Sequence, residues 1–125
     1  MSTIVVVDDE ESVVNLLKSA LEEEGFTVHT AMDGKKALQA IKKVKPDLVL
    51  LDVQMVGHND GFEVLSELKK NSKTASIPIV MLTGRTAPVD IEKGIRDYAD
   101  KYFTKPFQVR GLIEEVKKTI ALHKT

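Results

Sequence analysis

Two kinds of hydrophobic pattern alternate along the chain. Short runs rich in β-branched, aliphatic and aromatic residues occupy Thr3–Val7, Phe26–Thr30, Asp47–Leu51, Ile77–Leu82 and Lys101–Thr104, and each predicts a strand. Between them, apolar residues recur every three or four positions. Val13, Leu16, Leu17, Ala20 and Leu21 do so in Glu10–Glu24, and Ala37, Leu38 and Ile41 in Lys35–Lys43. Phe62, Leu65 and Leu68 repeat the spacing in Gly61–Lys70, as do Val109, Leu112, Ile113, Val116 and Ile120 in Gln108–Leu122. These segments predict helices. Pro88–Asp97, with Ile91 and Ile95 one turn apart, predicts another despite Gly94. Gly25 stops the first helix, and Pro78 stands near the start of the fourth strand, where a missing N–H is tolerated.

Strict alternation of this kind predicts an α/β fold, a doubly wound parallel sheet with helices on both faces. The intervening loops are short except Asp52–Asp60, and no linker or low-complexity segment interrupts them. One domain over residues 1–125, with no output domain, is expected. At 125 residues, surface scaling buries about two-thirds of the unfolded chain's accessible area, enough for a core without staples.

Composition narrows the chemistry. With no cysteine, disulfides, thiolate metal sites and cysteine nucleophiles are excluded. Lys plus Arg number 18 against 19 Asp plus Glu, a formal charge of −1, which makes no case for nucleic acid or an anionic membrane. A leader or membrane-spanning stretch is absent from the pattern, so a cytoplasmic protein is expected. His29, His58 and His123 fall on different elements, which argues against a zinc site, and Lys69-Lys70-Asn71-Ser72-Lys73 reads as a solvated helix end.

The strand ends carry the informative polar residues. In a parallel sheet all carboxyl ends share one edge, where open α/β sheets bind ligands. The first strand ends in Asp8-Asp9, the third in Asp52, the fourth in Thr83 and the fifth in Lys105. Each has an ordinary reading. Asp8 could cap the first helix with Glu11 completing a capping box, Asp52 could open an Asx turn, Thr83-Gly84 could be turn chemistry, and Lys105 could be solvated. Together they place three carboxylates, a hydroxyl and an ammonium at one edge. Like charges gathered there call for a cation, and an oxygen-only donor set suits Mg²⁺. A Mg²⁺-assisted phosphoryl site with a carboxylate nucleophile follows.

The motifs Val7-Asp8-Asp9-Glu10, Leu51-Asp52-Val53-Gln54-Met55, Asp60-Gly61-Phe62-Glu63-Val64-Leu65, Met81-Leu82-Thr83-Gly84 and Tyr102-Phe103-Thr104-Lys105-Pro106-Phe107 stand in this order at these strand ends. With them the chain resembles, over essentially its whole length, the receiver domain of two-component response regulators, the chemotaxis regulators among them. The resemblance implies a flavodoxin-like (βα)5 sheet of strand order 2-1-3-4-5. It implies that Asp52 takes a phosphoryl group from the phosphohistidine of a histidine kinase or phosphotransfer protein. Asp9 and Asp52 would ligate Mg²⁺ with the backbone carbonyl of Gln54, and Asp8 would act through water. Thr83 and Lys105 would contact the phosphoryl oxygens, and the Lys105–Pro106 peptide is expected cis. Thr83 and Tyr102 would switch the face formed by the 88–97 helix, the fifth strand and the last helix, for a downstream protein. Gln54 and Arg85, two residues after Asp52 and Thr83, would tune dephosphorylation. The expected state is a monomer or a weak phosphorylation-dependent dimer. No enzyme activity is expected beyond autophosphorylation and autodephosphorylation.

Three departures accompany the resemblance. Val56 replaces the usual proline and Gly57-His58-Asn59 lengthens the following loop; Tyr98 stands where a glycine ends the fourth helix; Gly111 lies inside the last helix. Other function classes fare worse. An interaction module that keeps the fold without phosphorylation leaves the full set Asp8, Asp9, Asp52, Thr83 and Lys105 unexplained. A flavin binder would need a hydroxyl-rich phosphate loop where this chain has Asp8-Asp9-Glu10-Glu11, and an aspartyl hydrolase would want a carboxylate where Gln54 stands.

Overall fold

The computed structural model describes residues 2–52, 61–83, 101–104 and 107–123. Its strands are β1 (Thr3–Val7), β2 (Thr27–Ala31), β3 (Leu48–Asp52), β4 (Ile79–Thr83) and β5 (Lys101–Thr104). Its helices are α1 (Glu11–Glu23), α2 (Gly34–Val44), α3 (Gly61–Lys70) and a C-terminal helix, Val109–His123. All five strands pair in parallel in one sheet of order β2-β1-β3-β4-β5. This is the doubly wound flavodoxin-like order expected. The predicted 88–97 helix, Tyr98 and the 57–59 loop lie outside the described residues.

The sheet divides the core in two, because successive side chains of a strand point to opposite faces. Val5, Val7, Val49, Leu51, Ile79 and Met81 meet α2 and α3 through Ala37, Ile41, Val64, Leu65 and Leu68. Ile4, Val6, Leu48, Leu50, Val80 and Leu82 meet α1 and the C-terminal helix through Leu17, Leu21, Leu112, Ile113, Val116 and Ile120. Both faces of the central strands are thus covered, so they read as continuous apolar runs rather than alternating ones.

Element ends follow local hydrogen bonding. Gly25, at φ 95°, ends α1. Its amide donates to the carbonyl of Glu22, and the Phe26 amide donates to that of Leu21, the paired bonds of a Schellman turn. Phe26 is thereby part of the helix end, and β2 begins one residue later than its pattern predicts. Asp47 likewise precedes β3: its amide donates to the Thr3 carbonyl and its carboxylate accepts from the Thr3 amide at 2.7 Å. At the start of α2, the Asp33 side chain accepts from the Lys36 amide at 2.8 Å, an N-cap.

Gly111 lies in the C-terminal helix, and a Cβ built on it would meet nothing within 4 Å. Gly111→Ala is expected to stabilise the protein by about 0.5–1 kcal/mol, read as a higher urea midpoint at constant slope.

Glu24 joins the two helices on that face. Its carboxylate accepts from Lys117 and, at 3.1 Å, from Arg110. The Lys117 hydrogen bond, with the charges of Lys117 and Arg110, holds the Glu24 carboxyl below its ordinary value, against a smaller opposing effect of burial. A depressed folded-state pKa stabilises the fold above the unfolded-state value, and the contribution is lost as pH falls through the folded-state value. The stability gap between wild type and Glu24→Gln is therefore expected to be full at neutral pH and to close on acidification below the ordinary glutamate range. Urea unfolding at several pH values checks it.

Candidate functional site

β1 delivers Asp8 and Asp9 to the carboxyl edge of the sheet, immediately before α1. The Asp8 amide donates to the Ala31 carbonyl at 3.2 Å, extending the β1–β2 ladder by one rung. Its side chain is fully buried, and Oδ1 accepts from the Glu10 amide at 3.0 Å. That bond folds the chain back two residues on, in an Asx-type turn. Asp8 therefore does not cap α1. The N-cap position is Glu10, without a side-chain cap bond, so the capping box of Asp8 and Glu11 is not formed; Asp8 stands two residues too early. Glu11 remains in the first turn of α1, where a negative charge complements the helix dipole.

The tight turn gathers acids. Carboxylate oxygens of Asp8, Asp9 and Glu10 lie within 4.8 Å of one another, with Asp8 buried, Asp9 partly buried and Glu10 exposed. The strand-end pattern does not single out Glu10. Its signal is the unbroken acidic run 8–11, which any reversal at Asp8 brings back on itself.

Asp52 is the last residue of β3 and is 2% exposed. Val7 pairs with Leu51, the last rung of the β1–β3 register, and Asp8 and Asp52 follow it on the two adjacent segments. By alternation both lie on the side of Ile4, Val6, Leu48 and Leu50. Asp52 in turn pairs with Leu82 of β4, and Thr83 is the next residue along that strand. Thr83 pairs with Thr104 at the end of β5, and Tyr102, 37% exposed, is two residues earlier, opposite Met81. Asp8, Asp9, Asp52 and Thr83 are thus brought to one edge. Lys105, Gln54 and Arg85 lie outside the described residues, as does the Lys105–Pro106 peptide.

No buried side-chain nitrogen or oxygen among the described residues lacks a hydrogen-bond partner. The buried carboxylates are therefore held in place by the fold rather than left as orphaned charges. An edge of this composition repels anions unless a hard cation is present, and its all-oxygen donor set is of the kind Mg²⁺ takes.

The family model for the response regulator receiver domain matches residues 4–117. The chain belongs to the receiver domain family. Among solved structures, this receiver superposes on NtrX from Brucella abortus with a TM-score of 0.87 at 35% identity, covering 98% of this chain and 28% of that longer one. A Chloroflexus aurantiacus protein assigned as a response regulator matches at 32% identity with a TM-score of 0.87, over 96% of this chain and 98% of that one. Chemotaxis protein CheY4 of Vibrio cholerae matches at 27% identity with a TM-score of 0.85, over 95% and 98%. Receiver domains are signalling phosphoacceptors of two-component systems, served by histidine kinases or phosphotransfer proteins, and typically bind Mg²⁺ at an acidic pocket. The acidic cluster of this receiver occupies the corresponding strand edge. No described helix is long and apolar enough to cross a membrane.

Proposed function

We propose that this receiver is a cytoplasmic switch whose Asp52 accepts a phosphoryl group from a histidine kinase or phosphotransfer protein. The observation that carries the reading is the burial of Asp8 and Asp52, which follow the last rung of adjacent parallel strands, beside Asp9. The donor set fits Mg²⁺, which Asp9, Asp52 and the Gln54 carbonyl would hold directly and Asp8 through water. Bound there, the ion would supply charge neutralisation for the incoming phosphoryl group.

The protein's own residues do the rest. One Asp52 carboxylate oxygen bonds to phosphorus while the phosphorus–nitrogen bond of the donor phosphohistidine breaks, its electron pair returning to the imidazole. Burial keeps Asp52 in a single orientation for in-line attack, which is most of what phosphoryl transfer requires of a protein. The Thr83 hydroxyl and Lys105 ammonium hydrogen-bond the new oxygens. Recruitment of Thr83 frees space for Tyr102, whose half-exposed ring on edge strand β5 packs inward. The result is a population shift between two packings, read by a downstream protein on the face of the 88–97 helix, β5 and the C-terminal helix. Gln54 and Arg85 set the lifetime of the phosphoryl group, and association between copies is at most a weak phosphorylation-dependent dimer.

The test is incubation with acetyl phosphate and Mg²⁺, read by intact mass. The expected product is a labile adduct of one phosphoryl group whose formation stops when a chelator removes the metal. Absence of any adduct, from acetyl phosphate and from a phosphohistidine donor alike, overturns the proposal.

A further inference from the structure

The opposite end of the sheet carries the reverse charge. Lys42 and Lys43 occupy the last turn of α2, and Lys69 and Lys70 the last turn of α3. Those four have an ordinary role, since cations offset the negative carboxyl end of a helix dipole. Lys45 is the C-cap residue of α2, and Lys73 lies three residues beyond the end of α3.

Lys42, Lys45 and Lys73, with Asn71 and Thr74, line a cavity of about 260 Å³. None of the three lysines has a carboxylate at ion-pair distance among the described residues. The nearest acid in sequence, Asp47, is engaged by the Thr3 amide at 2.7 Å. Lys45 has φ 53°, and it is the only non-glycine residue with positive φ among those described. Glycine is the residue that ends a helix in this conformation without steric penalty. A lysine held there gives up backbone stability and puts a cationic residue on the cavity lining.

The opposite rim is rigid. The Thr74 hydroxyl donates to the Leu68 carbonyl at 2.7 Å, and Thr74 is 3% exposed. Asn71 Oδ1 accepts from the Lys73 amide at 2.9 Å, which fixes the side-chain amide and leaves its N–H groups as donors. The lining therefore presents cations and N–H donors with no competing anion.

We propose that this cavity between the carboxyl ends of α2 and α3 binds a small multivalent oxyanion of the phosphate or pyrophosphate class. Its size admits a compact anion rather than a polymer, and three lysines lie on its lining. The site is independent of the acidic edge and does not rest on phosphorylation of Asp52.

The experiment is a titration with inorganic pyrophosphate in EDTA at constant ionic strength, followed by amide NMR shifts and by the melting temperature. Saturable shifts confined to residues 42–45 and 71–74, with a rise in Tm, are expected. Lys45→Gly is expected to weaken binding about three- to fivefold, the effect of one partly solvated charge. The anion-free Tm of that variant should stay level or rise, because the strained backbone is relieved. Lys43→Gln, an exposed neighbour not on the cavity, should change binding less than twofold by the same reasoning, about the noise of a single solvated charge. The proposal is overturned by three results: no saturable shift, shifts spread over all the surface lysines, or equal weakening by Lys43→Gln and Lys45→Gly. The second and third would mean a diffuse basic surface for a polyanion instead.

Discussion

Asp52→Asn is expected to abolish the phosphoryl adduct while the protein melts at the same temperature as wild type or higher. The amide has the shape of the carboxylate but no anionic oxygen to attack phosphorus, so loss should be complete rather than partial. The stability effect runs the other way. Asp52 and Asp8 are both buried at the ends of adjacent parallel strands. Two buried carboxylates so placed set like charges against each other. Neutralising one of them is expected to leave the Tm level or raise it by up to several degrees. Such a gain on loss of function is the mark of a residue retained for chemistry. Intact mass after acetyl phosphate treatment, with calorimetry in EDTA, measures both. An adduct that survives on Asp52→Asn would mean another acceptor, and a marked fall in Tm would mean a structural carboxylate.

The second large effect is on the scaffold. Leu50 is fully buried in central strand β3, paired with Val6 on one side and Val80 on the other, beneath α1 and the C-terminal helix. Leu50→Ala removes three carbons from a position flanked by strands on both sides, where backbone collapse cannot refill the space. The expected cost is about 3–5 kcal/mol. Since a domain of this kind holds about 5–15 kcal/mol in all, the variant should lose about a fifth or more of its stability. A fall in urea midpoint at constant slope would record it, and a loss under about 1 kcal/mol would mean the core relaxes around the site.

The sheet was legible in the sequence because central parallel strands are apolar on both faces. Ile4–Val7 and Leu48–Leu51 leave little room for another reading. Boundaries were less legible, because they depend on bonds made across the fold. Phe26 reads as strand by composition but closes α1, and Asp47 reads as the start of β3 but ties down Thr3. At the acidic edge, position in sequence sufficed to gather Asp8, Asp9, Asp52 and Thr83, since strand ends in a parallel sheet must coincide. The capping reading of Asp8 failed because a cap and an Asx turn use the same side chain and differ only in where the helix starts. Glu10 and the lysines of the opposite cavity were hidden for a shared reason. Each becomes a neighbour of its partners only after a turn whose dihedral angles leave no pattern in composition.

The division of the core by the sheet bears on how the domain tolerates change. Side chains of α2 and α3 meet one set of strand residues, and those of α1 and the C-terminal helix meet the other. Between the sets runs the hydrogen-bonded backbone of the sheet, whose side chains point alternately to the two faces. Substitutions on opposite faces should thus combine additively, while those sharing a face should couple. Each half can be repacked with the other held constant, so two sets of helical surfaces can diverge separately around one unaltered row of acids.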